Sequence, residues 1–330
     1  MQQDESTVDT LIVGAGLSGL MMGYLLHNRS HLIIESAKTL NFDIGTPFYL
    51  HAPLDWLPTS WKEIDVHHHC WDGERFYRIP SLKMMNDYSR KIVGKIVDTS
   101  LKFMDGEIKR GFIPELGGAG QVLRDLFEET KNDLLLGASL NHLDSETKTA
   151  YILAPSGAIR IVHYKNLIST IPLPALLKML KIEFNHKFVA DPITTFFIAV
   201  PPSEALDSFQ VVNITSKHNQ FYRASLMGNT IIMETMVDDD DNIQEIVARE
   251  TAEDIWGVKL LNQQITKSIV RPGKFHPVDL TARKQLLARL SGEFGIYCLG
   301  RYATWSYKRI DHIAQDAQTI LKLMKMEQSQ

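Results

Sequence analysis

Three glycines near the start of the chain carry the clearest chemical signal. Gly14, Gly16 and Gly19 stand in GAGLSG, which satisfies G-x-G-x-x-G, and Glu35 ends the next apolar run. At this spacing the first glycine permits a tight turn, the second lets a diphosphate approach the backbone, and the third lets a helix lie close on the strand. Free amides at the helix start, with the helix dipole behind them, suit the diphosphate. A carboxylate at Glu35 can accept hydrogen bonds from an adenosine ribose. The strand before, the helix after, the second strand and the acid set this apart from an unliganded glycine turn. The pattern predicts one dinucleotide site, open at this level to NAD and FAD.

Further candidates are spread along the chain. His67-His68-His69-Cys70 invites a metal reading, but neighbours on a strand point to opposite faces and no second ligand pair has zinc spacing. The expectation is no metal, with one or two of these histidines facing a cleft and the others solvated. Asp238 to Asp241 resembles a calcium loop without its sixth-position glycine, because Ile243 stands there, so it is read as a solvated turn and N-cap. The loop GFIPELGGAG fits either a flexible helix start or a close backbone approach to a cofactor. Near the end, Arg301, Trp305, Tyr307 and Lys308 gather in one loop between buried elements, with Asp311 at the next helix start. Functional groups concentrate on loops at strand ends, which makes this loop a candidate ligand wall. A helix start there would stabilise the negative charge of a reduced flavin at N1 and O2.

The elements that must position these groups follow from periodicity. Val8 to Val13 and His31 to Ile34 read as buried strands flanking a helix that begins at Leu17. Asp72-Gly73 marks a hairpin with Phe76, Tyr77 and Ile79 on the return strand. A helix is expected from Ser81 to Met104 with Gly94 as an interruption, and another from Gln121 to Thr130. Leu134 to Leu143, Ala150 to Leu153, Ile159 to His163 and Asn166 to Thr170 are strand-like, followed by a short helix after Pro172 and Pro174. In the second half, Ile193 to Val200 ends at Pro201-Pro202, and Phe209 to Ile214, Phe221 to Met227 and Thr230 to Val237 read as successive antiparallel strands. Helix Ile243 to Trp256, strand Ile265 to Val270, helix Leu280 to Leu290, strand Ile296 to Leu299 and helix Ile310 to Lys325 complete the chain.

Composition bounds the setting. A chain of 330 residues can bury a large core, and 44% hydrophobic with 22% charged residues is ordinary for a globular protein. A net charge of −4 gives no general reason for a nucleic-acid or membrane partner. Cys70 and Cys298 lie far apart, the N-terminus is polar and acidic, and no apolar run reaches membrane-spanning length. A cytoplasmic protein is expected.

The pieces GAGLSGL, Glu35, GFIPELGGAGQVLRDLFE, LISTIPLPALL, FYRASL and GRYATWSYKRID, in this order, resemble the FAD-dependent amine-oxidase-like superfamily. Within it the likeness is greatest to UDP-galactopyranose mutase and the protoporphyrinogen-oxidase-like proteins. The resemblance implies an α/β fold. A Rossmann-like FAD-binding domain of glutathione-reductase type (1–45, 112–190 and 280–330) would be interwoven with an antiparallel-sheet substrate domain (46–111 and 191–279) and a reduced helical lobe. It implies FAD at Gly14, Ala15, Gly16, Leu17, Ser18 and Gly19, with Glu35 on the ribose and Ser36 and Leu140 nearby. Gly300, Arg301, Ile310 and Asp311 would stand toward the ribityl–isoalloxazine end. In the mutases, the arginine matching Arg223 contacts the substrate diphosphate and a tyrosine matching Tyr307 lies beside it.

Three departures are visible. The double glycine expected soon after the ribose acid is replaced by Ser36-Ala37-Lys38-Thr39-Leu40, residues 81–114 are shorter than the mutases' helical lobe, and the strand ITTFFIAV lacks the lysine found near the flavin of many amine oxidases. The leading expectation is an FAD-dependent oxidoreductase for a small polar or amine-bearing substrate. Arg223 would bind an anionic group, Tyr222, Trp305 and Tyr307 would wall the flavin, and His51 or one of His67 to His69 would serve as acid or base. One alternative is a mutase-like, non-redox enzyme acting through the reduced flavin on a sugar nucleotide. Another is a lyase for an amino-acid-modified group carried on a macromolecule such as DNA, to which the basic residues between Lys83 and Arg110 lend slight support. A non-enzymatic dinucleotide-binding protein is the fourth.

Overall fold

The computed structural model describes residues 4–42, 48–96, 108–115, 118–201, 206–237, 243–260 and 263–327. The first strand, β1 (Asp4–Val13), passes through the glycine turn into α1 (Leu17–Leu25) and β2 (His31–Glu35). The second region holds β3 (Trp61–Trp71), β4 (Phe76–Tyr77), α2 (Leu82–Val93) and β5 (Lys109–Pro114). Then come α3 (Ala119–Thr130), β6 (Leu134–Leu136), β7 (Ser139–Asp144), β8 (Thr149–Leu153), β9 (Ile159–Ser169) and α4 (Leu173–Leu180). The third region holds β10 (Ala190–Ala199), β11 (Leu206–Ile214), β12 (Phe221–Gly228), β13 (Thr230–Thr235), α5 (Ile243–Trp256) and β14 (Ile265–Phe275). The tail comprises α6 (Leu280–Phe294), β15 (Ile296–Cys298), α7 (Arg301–Thr304) and α8 (Ile310–Glu327).

Two sheets result. In the first, the order is β6-β2-β1-β9-β8-β7, with β15 also beside β9. Its core is parallel, from β6 through β2, β1 and β9 to β15. Such strands are covered on both faces, so they are apolar throughout, and Leu11, Ile12 and Ile33 are fully buried. One face packs on α1, α3 and α8, and the other meets α4 and α6. α1 is apolar nearly all round because it is enclosed: Leu20, Met21 and Met22 are inaccessible to solvent. The second sheet runs β14-β10-β13-β12-β11-β3-β4, with β5 beside β3. It is antiparallel except where β3 lies parallel to β11. Helix α5 covers one face, burying Phe196, Ile198, Ala224 and Met233, each apolar side chain contributing about 1–3 kcal/mol. The α/β architecture, with a Rossmann-like sheet joined to a mainly antiparallel one, is the fold class expected.

Local differences have physical causes. The stretch 134–143 is two strands, because Gly137 takes φ +68° and the Ala138 amide turns to the Glu35 carbonyl (2.8 Å). The segments at 159–163 and 166–170 are one strand, since Tyr164 keeps its register with Val8 and Lys165 pairs with Asp9 across the ladder. β14 continues past Val270 to Phe275 through a register shift against β10. α2 is capped by the Ser81 hydroxyl and stops at Gly94, and much of the expected remainder falls outside the described residues. The Asp238–Asp241 stretch, Gly117 of the glycine-rich loop and Pro202 also lie outside them. Among the described residues no helix is long and apolar enough to cross a membrane, and no three His, Cys, Asp or Glu side chains converge as metal ligands.

Candidate functional site

β1 ends in a turn built by close contacts. A side-chain carbon at Gly14 would stand 2.2 Å from the Thr170 hydroxyl, and one at Gly19 would stand 1.8 Å from the Gly14 carbonyl oxygen. Around Gly16 nothing lies within 4 Å, so the backbone there faces open space. Gly16 caps α1 without a side-chain hydrogen bond, and the first helical bond runs from the Leu20 amide to its carbonyl (3.0 Å). The preceding amides have no partner within the helix. Glu35, at the end of β2, accepts from the Ala15 amide (2.9 Å), the Ala37 amide (2.9 Å) and the Ser36 hydroxyl (3.0 Å). Its carboxylate is thus fixed against the loop, with remaining lone pairs for hydroxyl donors. Leu140 sits apart from these groups, packed against the core between the first sheet and α4.

The tail approaches the same loop. Gly300 takes φ +95°, and a side-chain carbon there would meet the Ser18 hydroxyl at 2.3 Å. Arg301 then donates to the Gly273 carbonyl (3.3 Å), while its Nε is buried without a partner. Lys308 pairs with Asp316, and Arg309 pairs with Asp311 and donates to His51 Nε2 (2.6 Å). Burial, then the Arg309 charge, hold His51 below the ordinary histidine value. Burial works to raise Asp311, but hydrogen bonding and charge from Arg309 win and lower it.

The second sheet supplies the opposite wall. A register shift in β12 between Phe221 and Arg223 lets both Tyr222 and Arg223 reach Glu234 on β13. Arg223 engages both Glu234 oxygens, and the Tyr222 hydroxyl lies 3.4 Å from one of them. The Glu234 side chain is 3% exposed and that of Arg223 34%. Burial alone would lower the guanidinium, but Glu234 more than offsets it and holds Arg223 above its ordinary value. Lys274 of β14 stands over the rings of Tyr222 (5.0 Å) and Tyr307 (5.2 Å). On the cleft side of β3, His68 Nε2 meets the Tyr49 hydroxyl at 2.9 Å. His67 and His69 are stacked at 6.3 Å, with His69 edge-on to Phe76.

Some of these groups line one cleft of about 680 Å³. Gly16, Leu17, Ser18 and Thr170 form one end, with Arg301, Tyr302, Lys308, Arg309 and Ile310 along the side. Arg223, Ser225, His68, Phe209, Val211 and Tyr49 form the other end. No protein-family model and no curated protein sequence matches the chain. Solved structures do match, over nearly its whole length. A protein assigned as a protoporphyrinogen oxidase from Exiguobacterium sp. superposes with TM-score 0.66 at 11% identity, covering 99% of this chain and 100% of its own. The p-nitrophenol 4-monooxygenase PnpA from Pseudomonas putida gives 0.59 at 11% identity, covering 98% and 82%. The rebeccamycin biosynthetic enzyme RebC, solved with reduced flavin, gives 0.57 at 15% identity, covering 99% and 62%. The chain has a flavoprotein fold.

Within this flavoprotein fold the expected residues divide. Gly16, Leu17, Ser18, Arg301, Ile310 and Arg223 share the cleft, and Tyr222 stands behind Arg223. Asp311 and His51 act on the cleft through Arg309. Trp305 and Tyr307 do not line it. Trp305 takes a left-handed turn (φ +46°) and packs on Phe275 at 4.6 Å and Phe188 at 5.1 Å. Tyr307 donates to the Phe275 carbonyl, and both residues line a second hollow of about 300 Å³. Sequence reasoning missed Tyr49, Glu234, Lys274, Tyr302 and Arg309. Arg309 was within reach, since it lies inside the loop already singled out. The half-buried Lys274, which stands over Tyr222 and Tyr307, comes from β14, the strand beside β10.

Proposed function

We propose that the chain binds FAD and is an oxidoreductase for a small polar substrate bearing an anionic group, amine-bearing acids included. One observation carries this reading: a single cleft has the dinucleotide loop at one end and Arg223 of the second sheet at the other. The residues present fit the cofactor. The open space at Gly16 leaves room for a diphosphate, the fixed Glu35 carboxylate suits ribose hydroxyls, and the unpartnered Nε of Arg301 suits a polar cofactor atom. When bound, FAD supplies two-electron chemistry.

The chain's own groups account for substrate choice. Arg223 uses its Nε and one Nη on Glu234, so its remaining N–H groups are available to a ligand. His68 and Tyr49 form a hydrogen-bonded pair able to hold or pass a proton at His68 Nε2. Phe209, Val211 and Val270 keep the wall apolar and strengthen electrostatic contacts by excluding water. A simple amine cation fits poorly, because Arg223, Arg301, Lys308 and Arg309 all face the cleft.

Anaerobic mixing of the FAD-loaded protein with amino acids, N-methyl amino acids and 2-hydroxy acids tests the reading. Loss of the ~450 nm flavin band with a carboxylate-bearing compound is expected. Faster bleaching by the matching amine without its carboxylate, or bleaching by dithionite but by none of these compounds, would contradict it.

A further inference from the structure

The second hollow, of about 300 Å³, shares no lining residue with the cleft; Phe275 on its wall meets the Tyr302 ring of the cleft at 5.4 Å. Its size stands at the lower end of the roughly 300–1,000 Å³ of small-molecule sites. Phe275, Trp305, Tyr307, Val278 and Leu280 make the lining mostly apolar, and Leu280 is left 53% exposed. Arg283 of α6 is the permanent cation among the lining residues, and no carboxylate is among them. Its Nη1 donates to the carbonyls of Thr304 (2.9 Å) and Trp305 (3.4 Å), which anchors one end of the guanidinium. The Nε and Nη2 edge makes no hydrogen bond among the described residues and is not closed off from solvent. Nearby carboxylates are engaged elsewhere: His276 meets Asp191 at 2.8 Å, and Asp279 caps α6 by accepting from the Ala282 amide at 2.7 Å. Among the described residues none lies within ion-pair distance of Arg283. Burial lowers the guanidinium, with no opposing charge to raise it.

The other polar groups of the hollow are committed. Thr304 gives its hydroxyl hydrogen to the Gly300 carbonyl (2.7 Å), so the Ser306 hydroxyl donates to Thr304 (2.8 Å). Tyr307 gives its own hydrogen to the Phe275 carbonyl, and His276 meets Asp191 through Nε2. The Trp305 Nε1–H has no partner but is sealed from solvent. A ligand entering the hollow therefore meets Arg283 as its charged donor, presenting the edge that grips a carboxylate through two parallel bonds. We propose that the hollow is a second ligand site, for a one- or two-ring aromatic monocarboxylate held by Arg283. The aromatic lining takes the ring, offset or edge-on, and the carboxylate supplies the counter-charge that Arg283 lacks. Nothing in this site depends on what the cleft binds.

Calorimetric titration of the FAD-loaded protein with benzoate, with benzamide as the neutral counterpart and acetate as the ringless one, tests this. Wild type is expected to bind benzoate about ten-fold or more tighter than benzamide, and tighter than acetate. R283Q is expected to lose the preference for benzoate over benzamide. Because R283Q also gives up bonds to the Thr304 and Trp305 carbonyls, V278W is read beside it: the indole crowds the hollow, leaves Arg283 in place, and should weaken benzoate and benzamide alike. Wild type that does not bind benzoate, binds it no better than benzamide or acetate, or R283Q or V278W with wild-type benzoate affinity, would overturn the proposal. The ~450 nm band read on the same samples reports the cofactor independently: failure to hold FAD alongside an Arg283-dependent benzoate preference would count against the cofactor reading and leave the hollow supported.

Discussion

Two glycine-to-alanine substitutions three residues apart should have opposite consequences. At Gly16 the backbone has φ −70° and nothing lies within 4 Å of the position a methyl would take. Alanine is a poorer N-cap than glycine, at about 0.5–1 kcal/mol, but it restricts the unfolded chain by about 0.4–1 kcal/mol. The two nearly cancel, so G16A should melt within about 1 kcal/mol of wild type without ligand. The same methyl would occupy space needed by a diphosphate. Loss of one charge-assisted bond to a backbone amide, about 1.5–3 kcal/mol, corresponds to FAD binding about ten- to a hundred-fold weaker. At Gly19 the methyl would stand 1.8 Å from the Gly14 carbonyl oxygen, so α1 must lift from the turn. That overpacking should cost about 1–3 kcal/mol even without ligand. Ligand-free thermal melts and FAD fluorescence-quenching titrations separate the two effects. G16A with wild-type FAD affinity, or G19A with wild-type ligand-free stability, would refute the reasoning.

Other substitutions probe the remaining walls. R223A leaves the buried Glu234 carboxylate without its cation; because Arg223 is a third exposed, the cost in urea unfolding should be about 2–3 kcal/mol, below the full value for a buried pair, and R223A/E234Q should recover part of it. Lys91 donates to the carbonyls of Ile214 (3.2 Å), Ser216 (2.8 Å) and Phe221 (2.6 Å), so K91M should lose about 2 kcal/mol or more in the same assay and loosen the turn before Arg223 in hydrogen exchange. Asp311 has a folded-state value below its unfolded one, so its stabilisation is present above about pH 4 and is lost as pH falls through the lowered value. D311N should flatten that acid limb in pH-dependent melts.

The dinucleotide half was legible because it is local. Strand, turn, helix and acid occupy residues 4–35, and each glycine meets a neighbour or the open space its position requires. The tail was legible for the same reason, since Gly300 and α8 follow a buried strand. The wall of the cleft that the second sheet supplies depends on register, which a period-two pattern does not convey. Only the shift at Tyr222 brings two adjacent side chains to Glu234. Only the register shift in β14 extends that strand to Lys274, Gly273 and Phe275, where the tail docks. Trp305 read as a cofactor wall because it shares a loop with Arg301, yet its left-handed backbone turns it into the aromatic group around Phe275. Tyr49 meets His68 across 19 residues of chain, a contact with no counterpart in sequence spacing.

The central claim is that one cleft, floored by the Gly14–Gly19 turn and walled by Arg223, holds FAD. The visible spectrum of the purified protein after incubation with FAD and removal of excess tests it most directly. Retained bands near ~370 and ~450 nm, properties of the flavin itself, in stoichiometric amount and diminished in G16A, are predicted. A colourless wild-type protein would contradict it.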